Sequence, residues 1–212
     1  ARAPWVTQQP MIAEMRLQWW CDALDEIASQ KVVRRHEVVT PLAALIDSHA
    51  AALLRELVTA RRWDIYDDPF EDAAQFERYI DYTSGHLLVV ASGVLGGADP
   101  QVVRDFAFAT GLSNWFQAVP KLLSQRRHPL LDLSSKSLRR LAEQGLQRLA
   151  MARNSRGLVS SDAGAALLCG WQTKSYLTEA FHHPERVLSG LSGPRLFVSK
   201  TRLLAQAATG RW

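Results

Sequence analysis

Helix-start signals recur along the whole chain, and they predict an all-α architecture. In three places a capping-type residue directly precedes a proline: Thr40-Pro41, Asp68-Pro69 and Asp99-Pro100. Such a residue can accept a hydrogen bond from an unpaired backbone N–H, and proline suits the first helical position because no N–H is needed there. Apolar residues then repeat at helical spacing, for example at Leu138, Leu141, Ala142, Leu146 and Leu149. No segment shows the alternation that is typical of strands.

The predicted helices cover most of the chain. They lie at residues 11–29, 41–61, 69–96, 100–122, 135–153 and 162–181, with shorter ones at 184–190 and 195–207. The chain has 212 residues, 47% of them hydrophobic, which is enough for one core. We therefore predict a single domain over residues 1–212. Because the chain opens on Ala1 rather than methionine, we expect that an N-terminal helix is missing.

Apolar runs and cysteines indicate whether the protein spans a membrane and which redox compartment it occupies. The longest apolar run, at residues 87–95, is far shorter than the ~18 to 20 residues that a membrane-spanning helix needs. Cys21 and Cys169 lie within apolar helical patterns, where the main interpretation is a small buried side chain and the minor one a disulfide. We expect a reducing, cytoplasmic location. Peripheral attachment to the inner membrane would be compatible with it.

Charge is divided unevenly between the two halves. Residues 1–106 carry 10 Lys/Arg and 16 Asp/Glu, a net charge of −6, whereas residues 107–212 carry 15 and 5, a net charge of +10. Solvated helix faces are one explanation. The other is a basic surface that meets an acidic protein partner or anionic lipid headgroups, formed by Arg126, Arg127, Lys136, Arg139, Arg140, Arg148, Arg153 and Arg156. A nucleic-acid partner is not expected, because no binding motif accompanies these residues.

Four short segments stand out by their order and spacing. They are EMRLQWWCDAL at residues 14–24, RRWDIY at 61–66, YIDYTSG at 79–85 and GLSN at 111–114. Together they resemble the squalene/phytoene synthase family over nearly the whole chain. The resemblance implies a single-domain, all-α helical bundle of the isoprenoid-synthase type.

Active members of that family condense two prenyl diphosphates, using two aspartate-rich motifs on facing helices. Carboxylates four residues apart share one helix face and hold magnesium, which neutralises the departing diphosphate. Alignment on Asn114 places Gln117 at the arginine of the second motif, Ala118 at its first aspartate and Leu122 at its second. The aspartates that follow Asp105 lie thirty positions apart, so no other register supplies the pair. We therefore expect no metal cofactor at this helix.

The first aspartate-rich motif would, by the same resemblance, lie upstream of Ala1. A cluster of aspartates inside the chain contains two spacings of four, but Pro69 interrupts any continuous helix through it. The cluster suits a helix start, where carboxylates oppose the helix dipole. Its members are Asp64, Asp67, Asp68 and Asp72.

Candidates for a prenyl pocket also follow from the resemblance. Tyr82 and Gly85 match the family's Tyr-x-Ala-Gly segment, and Tyr79 matches an earlier tyrosine. Asn114 and Gln117 belong to the remnant of the second motif. An equally weighted alternative is that Gly85 only lets two helices pack closely.

Two functions fit this pattern. The first is a catalytically inactive member used for binding, similar to the phytoene-synthase-like factor that helps assemble respiratory complex I, with an interior that holds an isoprenoid lipid or is merely core. The second is a divergent prenyltransferase that condenses prenyl diphosphates with Mg²⁺. In that case Arg126 and Arg127 would hold the diphosphate, because a guanidinium pairs two oxygens at once.

Overall fold

Helices form the regular structure of the computed structural model, which describes residues 9–66, 68–194 and 196–212, without the side chains of 196–199. The described residues contain no β-strand, only an isolated antiparallel bridge between Ala98 and Val159. The all-α prediction is therefore confirmed. These residues group into two compact units, one ending at Asp68 and the other beginning at Pro69. That the chain is one domain stays a prediction.

The first unit is built on two packed helices. It contains α1 (Pro10–Ala28), α2 (Val39–Ala43), α3 (Ser48–Ala60) and a 3-10 turn at Arg61–Asp64. Helix α1 buries a stripe at helical spacing that includes Ala13, Leu17 and Leu24, and it packs against α3. Burial of this stripe supplies the hydrophobic stabilisation of the unit.

An ion pair ties the end of α1 to the loop that follows it. Arg34 Nη2 lies 2.6 Å from Glu26 Oε1, and the backbone N–H of Arg34 donates to Glu26 Oε2 at 3.0 Å. Hydrogen bonds from the Arg34 side chain and backbone lower the pKa of Glu26 to about 2. The same guanidinium lies over the ring of Trp19.

The single helix predicted at 41–61 is wrong, because local caps divide it. Asp47 accepts a hydrogen bond from Ala50 N at 2.8 Å and starts a new helix at Ser48. The Thr40-Pro41 start is also displaced, since α2 already begins at Val39. The Thr40 hydroxyl instead accepts from His36 N at 3.1 Å.

The second unit surrounds one central helix. Its helices are α4 (Ala73–Ile80), α5 (His86–Leu95), α6 (Pro100–Ser124), α7 (Ser135–Asn154), α8 (Ser161–Leu167), α9 (Thr173–His182), α10 (Arg186–Ser189) and α11 (Leu196–Thr209). Every residue from Phe106 to Ser113 of α6 is buried, as expected of a helix packed on all sides. Helices α5, α7, α9 and α10 all contact it.

The predicted start of α6 is confirmed and that of α4 is wrong. Asp99 accepts hydrogen bonds from Gln101 N at 2.9 Å and Val102 N at 3.1 Å. In α4 the N-cap is Asp72, which accepts from Gln75 N at 2.7 Å, so the helix begins at Ala73 rather than after Asp68. The backbone N–H of Glu71 donates to the Gln75 side chain at 2.6 Å, just before this helix begins.

The helix predicted at 162–181 is interrupted by a 3-10 turn at Leu168–Gly170. A Cβ on Gly170 would lie 2.5 Å from both Phe106 Cζ and Thr110 Oγ1, so this turn passes close to α6. Cys169 in the turn is exposed, which corrects its predicted burial, whereas Cys21 is buried; both thiols are free. In the described part of the chain, no helix is both long and apolar enough to cross a bilayer.

Candidate functional site

A short π-helical segment separates α4 from α5. It runs over Asp81–Gly85, and the buried Thr83 hydroxyl within it donates to Tyr79 O at 2.6 Å. Insertions of this kind widen a helix locally and often accompany functional sites. A Cβ on Gly85 would collide with Asp81 Oδ1 and lie 3.4 Å from Arg104 Nη1, so glycine makes room for these two side chains.

Asp81 and Arg104 form the ion pair next to this segment. Arg104, on α6, places Nη1 2.6 Å from both carboxylate oxygens of Asp81. Both side chains are partly exposed, at 26% for Arg104 and 36% for Asp81. Hydrogen bonds between charged groups are shorter and stronger than those between neutral groups.

Arg148, on α7, joins two further carboxylates. Its Nη1 lies 3.3 Å from Asp105 Oδ1, and its Nη2 lies 3.7 Å from Glu77 Oε2. The guanidinium also stacks over the ring of Phe108, 4.5 Å from its centroid. Gln144 Nε2 donates to Glu77 Oε1 at 2.8 Å. The network thereby connects α4, α6 and α7 on one side of the central helix.

These two groups line an open cavity of about 290 Å³. Arg104 and Arg148 face it together with Glu77 and Asp81, and Arg78 adds a further cation. Charged side chains therefore dominate its wall, and an excess of arginine gives the wall a small positive charge. A cavity of this composition suits a small polar or anionic group better than a hydrocarbon chain.

The carboxylates of this cavity are not at the positions to which the resemblance assigns the second aspartate motif, and their contacts do not suit a magnesium pair either. Glu77 and Asp81 are four positions apart on one helix face, as such a pair requires. Both oxygens of Asp81, however, are engaged by Arg104, and both oxygens of Glu77 lie beside donors of Gln144 and Arg148. In the ranges that the structure describes, no three His, Cys, Asp or Glu side chains converge as metal ligands.

The remnant of the second aspartate motif lies near the end of α6. Ala118 is half-buried and Leu122 is 6% exposed. Pro120 lies between them inside the helix, where it cannot donate a backbone hydrogen bond. The two positions that the alignment on Asn114 assigns to the aspartates of this motif therefore contribute a methyl group and a core side chain.

The pocket residues predicted in the π segment and at the end of α4 have different surroundings. Tyr79 is buried in an aromatic cluster, with ring centroids 5.6 Å from Phe70 and 5.2 Å from Trp115. Tyr82 is half-buried and stacks on His86 at 4.8 Å. Gly85 adjoins the Asp81–Arg104 pair. The structure thus places Tyr79 in the core and Gly85 beside the polar cavity.

The remaining predicted contacts lie towards the end of α6. Asn114 and Gln117 are exposed, and Gln117 Nε2 donates to Ser113 O at 3.1 Å within its own helix. Arg126 is exposed with φ of 62°, a conformation that usually requires glycine at a helix end, whereas Arg127 is 6% exposed. The two arginines consequently do not share one surface.

Two members of the aspartate cluster at residues 64–72 have structural contacts. Asp64 is buried and pairs with Arg61 at 3.2 Å, and Asp72 caps α4. Asp67 lies outside the described residues. The helix-start interpretation is therefore confirmed for Asp72 alone.

Sequence reasoning missed the charged network of this cavity. The spacing of Glu77 and Asp81 was a usable signal, since it is that of a paired carboxylate on a helix. Their partners could not be found in the same way, because Arg104 is 23 positions from Asp81 and Gln144 is 67 positions from Glu77. Only the packing of α4, α6 and α7 brings these side chains together.

Comparison with known proteins identifies the family. A family model for squalene/phytoene synthase matches residues 5–202. No curated protein matches the chain. The helices described above agree with the all-α, isoprenoid-synthase type of fold. Because the family match covers nearly the whole sequence, the chain belongs to the squalene/phytoene synthase family.

Proposed function

We propose that this protein is a non-catalytic member of its family that acts as a binding or assembly factor, of the type that assists respiratory complex I. The observation that carries the proposal is that neither the positions assigned to the second aspartate motif nor the carboxylate pair beside the π segment leaves oxygen ligands open to a metal. Glu77 and Asp81 are held by Arg148, Gln144 and Arg104. A divalent cation would have to displace these donors before it could bind.

The end of α6 supports the same proposal. Ala118 and Leu122 stand where active relatives carry aspartates, and Leu122 is buried. A prenyl-transfer site needs metal on both sides of the diphosphate to neutralise the charge that develops there. The second motif of this chain offers no oxygen ligand at either position.

Binding partners follow from the exposed charge of the second unit. Lys136, Arg139 and Arg140 are exposed on the first turns of α7. We define these three residues as the α7 basic face. It suits an acidic protein partner or an anionic membrane surface, in agreement with a cytoplasmic protein attached peripherally at the inner membrane.

An isoprenoid lipid is also part of the proposal, as a bound ligand. A cavity between α4 and α7 has a volume of about 170 Å³. Its apolar wall includes Phe76, Leu130 and Leu141, and polar side chains, among them Glu77 and Arg140, line the rest. Ligand pockets usually measure about 300 to 1,000 Å³. A prenyl chain would therefore require this cavity to widen, or would lie partly outside it.

The first experiment measures turnover. We expect the purified natural protein, incubated with farnesyl or geranylgeranyl diphosphate and Mg²⁺, to release no more pyrophosphate than a protein-free control. An active squalene/phytoene synthase family enzyme assayed in parallel shows that the conditions permit catalysis. Pyrophosphate release that a chelator abolishes would instead establish the divergent prenyltransferase.

The second experiment measures assembly in cells. We expect deletion of the gene to deplete complex I on native gels, and wild-type protein to restore it. The Lys136→Gln/Arg140→Gln variant of the α7 basic face should fail to restore the complex. Lys31→Gln/Arg35→Gln, which removes the same charge from exposed positions of the first unit, is the matched control and should succeed. Unchanged complex I after deletion would refute the assembly role.

A further inference from the structure

A second cavity in the unit that begins at Pro69 is strongly basic. Its volume is about 560 Å³, and its cationic side chains are Arg153, Arg156, Lys174, Arg202 and Arg211. No Asp or Glu occurs among the described residues that line it. It shares no lining residue with the cavity beside the π segment. A concentration of like charge around one space is costly unless an anion neutralises it.

The tertiary structure holds two of the arginines in place. Arg156 Nη2 donates to the backbone oxygen of Trp212 at 2.7 Å, and Arg153 Nε donates to the same oxygen at 3.2 Å. Trp212 is buried, with its ring 5.1 Å from Phe106 of the central helix. The two guanidinium groups are therefore anchored to the core rather than left mobile in solvent.

Two further contacts complete the walls. Arg202 Nη1, from α11, donates to Ser175 Oγ of α9 at 2.6 Å. Arg156 Nε and Gln206 Oε1 are buried and have no hydrogen-bond partner among the described residues. Buried polar atoms are nearly always satisfied, so Arg156 Nε marks a place for a missing acceptor and Gln206 Oε1 a place for a missing donor.

The charges of this cavity also perturb one another. Burial lowers the pKa of Arg153, and the neighbouring charges of Arg156 and Arg202 lower it further. In the described ranges, none of the five cations forms an ion pair with an Asp or Glu carboxylate. Elsewhere in this unit Arg104, Arg148 and Arg186 all have such a partner.

We propose that this cavity binds a phosphate ester, with the phosphate group between the arginines and Lys174. A phosphate monoester carries close to two negative charges at neutral pH and three acceptor oxygens. Arginine forks pair two of those oxygens at once, and the lysine supplies a compact point charge. Trp171 in the wall gives an apolar surface for the carbon part of the ester. The site is independent of whether the proposed assembly function holds.

The test is a calorimetric titration of the purified natural protein, first with inorganic pyrophosphate and then, in a separate sample, with glycerol phosphate. We expect saturable binding, weakened at least ~10-fold in Lys174→Gln/Arg211→Gln, since charge-assisted hydrogen bonds are lost. Neither side chain anchors Trp212, so this variant should fold. Lys31→Gln/Arg35→Gln removes the same charge from exposed positions outside the cavity and should change the affinity less than ~2-fold.

A spectroscopic measurement locates the bound group. On addition of pyrophosphate, the indole N–H resonances of Trp171 and Trp212 should shift, whereas that of Trp115, which donates to Pro129 O, should not. Phosphatidate vesicles compared with glycerol phosphate distinguish a lipid headgroup from a soluble ester. The proposal would be overturned if none of these probes binds saturably, or if both double variants lose the same affinity.

Discussion

Leu122→Asp should destabilise the second unit by about 4 kcal/mol, the sum of roughly 2 for lost apolar burial and roughly 2 for an unsatisfied carboxyl group. Leu122 is 6% exposed near the end of the central helix. The substitution supplies one of the two carboxylates that the alignment on Asn114 assigns to the second motif, and burial should keep it protonated and unable to hold a cation. Urea denaturation followed by circular dichroism would measure the loss.

Ala118→Asp is the matched control for this experiment. Ala118 is half-buried, so we expect a cost of only about 0.7 kcal/mol, mainly from helix propensity. The double variant should also fail to bind Mg²⁺ in a calorimetric titration. If the double variant keeps wild-type stability and also binds Mg²⁺, the result would contradict this expectation. It would mean that the site on α6 lacks only its carboxylates.

Gly111→Ala should destabilise the second unit by about 2 kcal/mol, because a methyl group overfills the contact between α6 and the π segment. The added Cβ would lie 2.5 Å from Ser84 Oγ, 2.9 Å from Ser84 Cβ and 2.8 Å from Ile80 Cγ2. The hydroxyl can rotate away, but Ser84 Cβ moves only with its backbone, and Ile80 Cγ2 moves only if this buried β-branched side chain changes its χ1 rotamer. The same shift would disturb Asp81 and its pair with Arg104.

Gly93→Ala gives a control with the opposite sign. Gly93 is exposed on α5, and a Cβ added there would meet no atom within 4 Å beyond its chain neighbours and the backbone of its own helix. The substitution should stabilise the protein by about 0.5 to 1 kcal/mol through helix propensity. Destabilisation by both alanines, or by neither, would contradict the packing role assigned to Gly111.

Local patterns predicted the parts of the fold that depend on neighbouring residues. Asp99 followed by Pro100 identified the start of α6, because the cap bonds lie within three residues. The same signal at Asp68 and Pro69 predicted the wrong helix start, because Asp72 caps α4 instead. Local patterns also failed at Asp47, whose cap divides a segment that periodicity alone treats as continuous. Helix existence was therefore predictable, and helix boundaries less so.

Family membership was determined by sequence alone, and the proposed loss of the second aspartate motif likewise rests on residue identity at known spacing. The pairing of Asp81 with Arg104, and the assembly of five cations around one cavity, were decided only by tertiary structure. Those side chains come from helices far apart in the chain, and their proximity depends on how α4, α6, α7, α9 and α11 pack. Charge interactions fall steeply with distance, so composition alone could not reveal which charges neutralise each other and which remain unpaired.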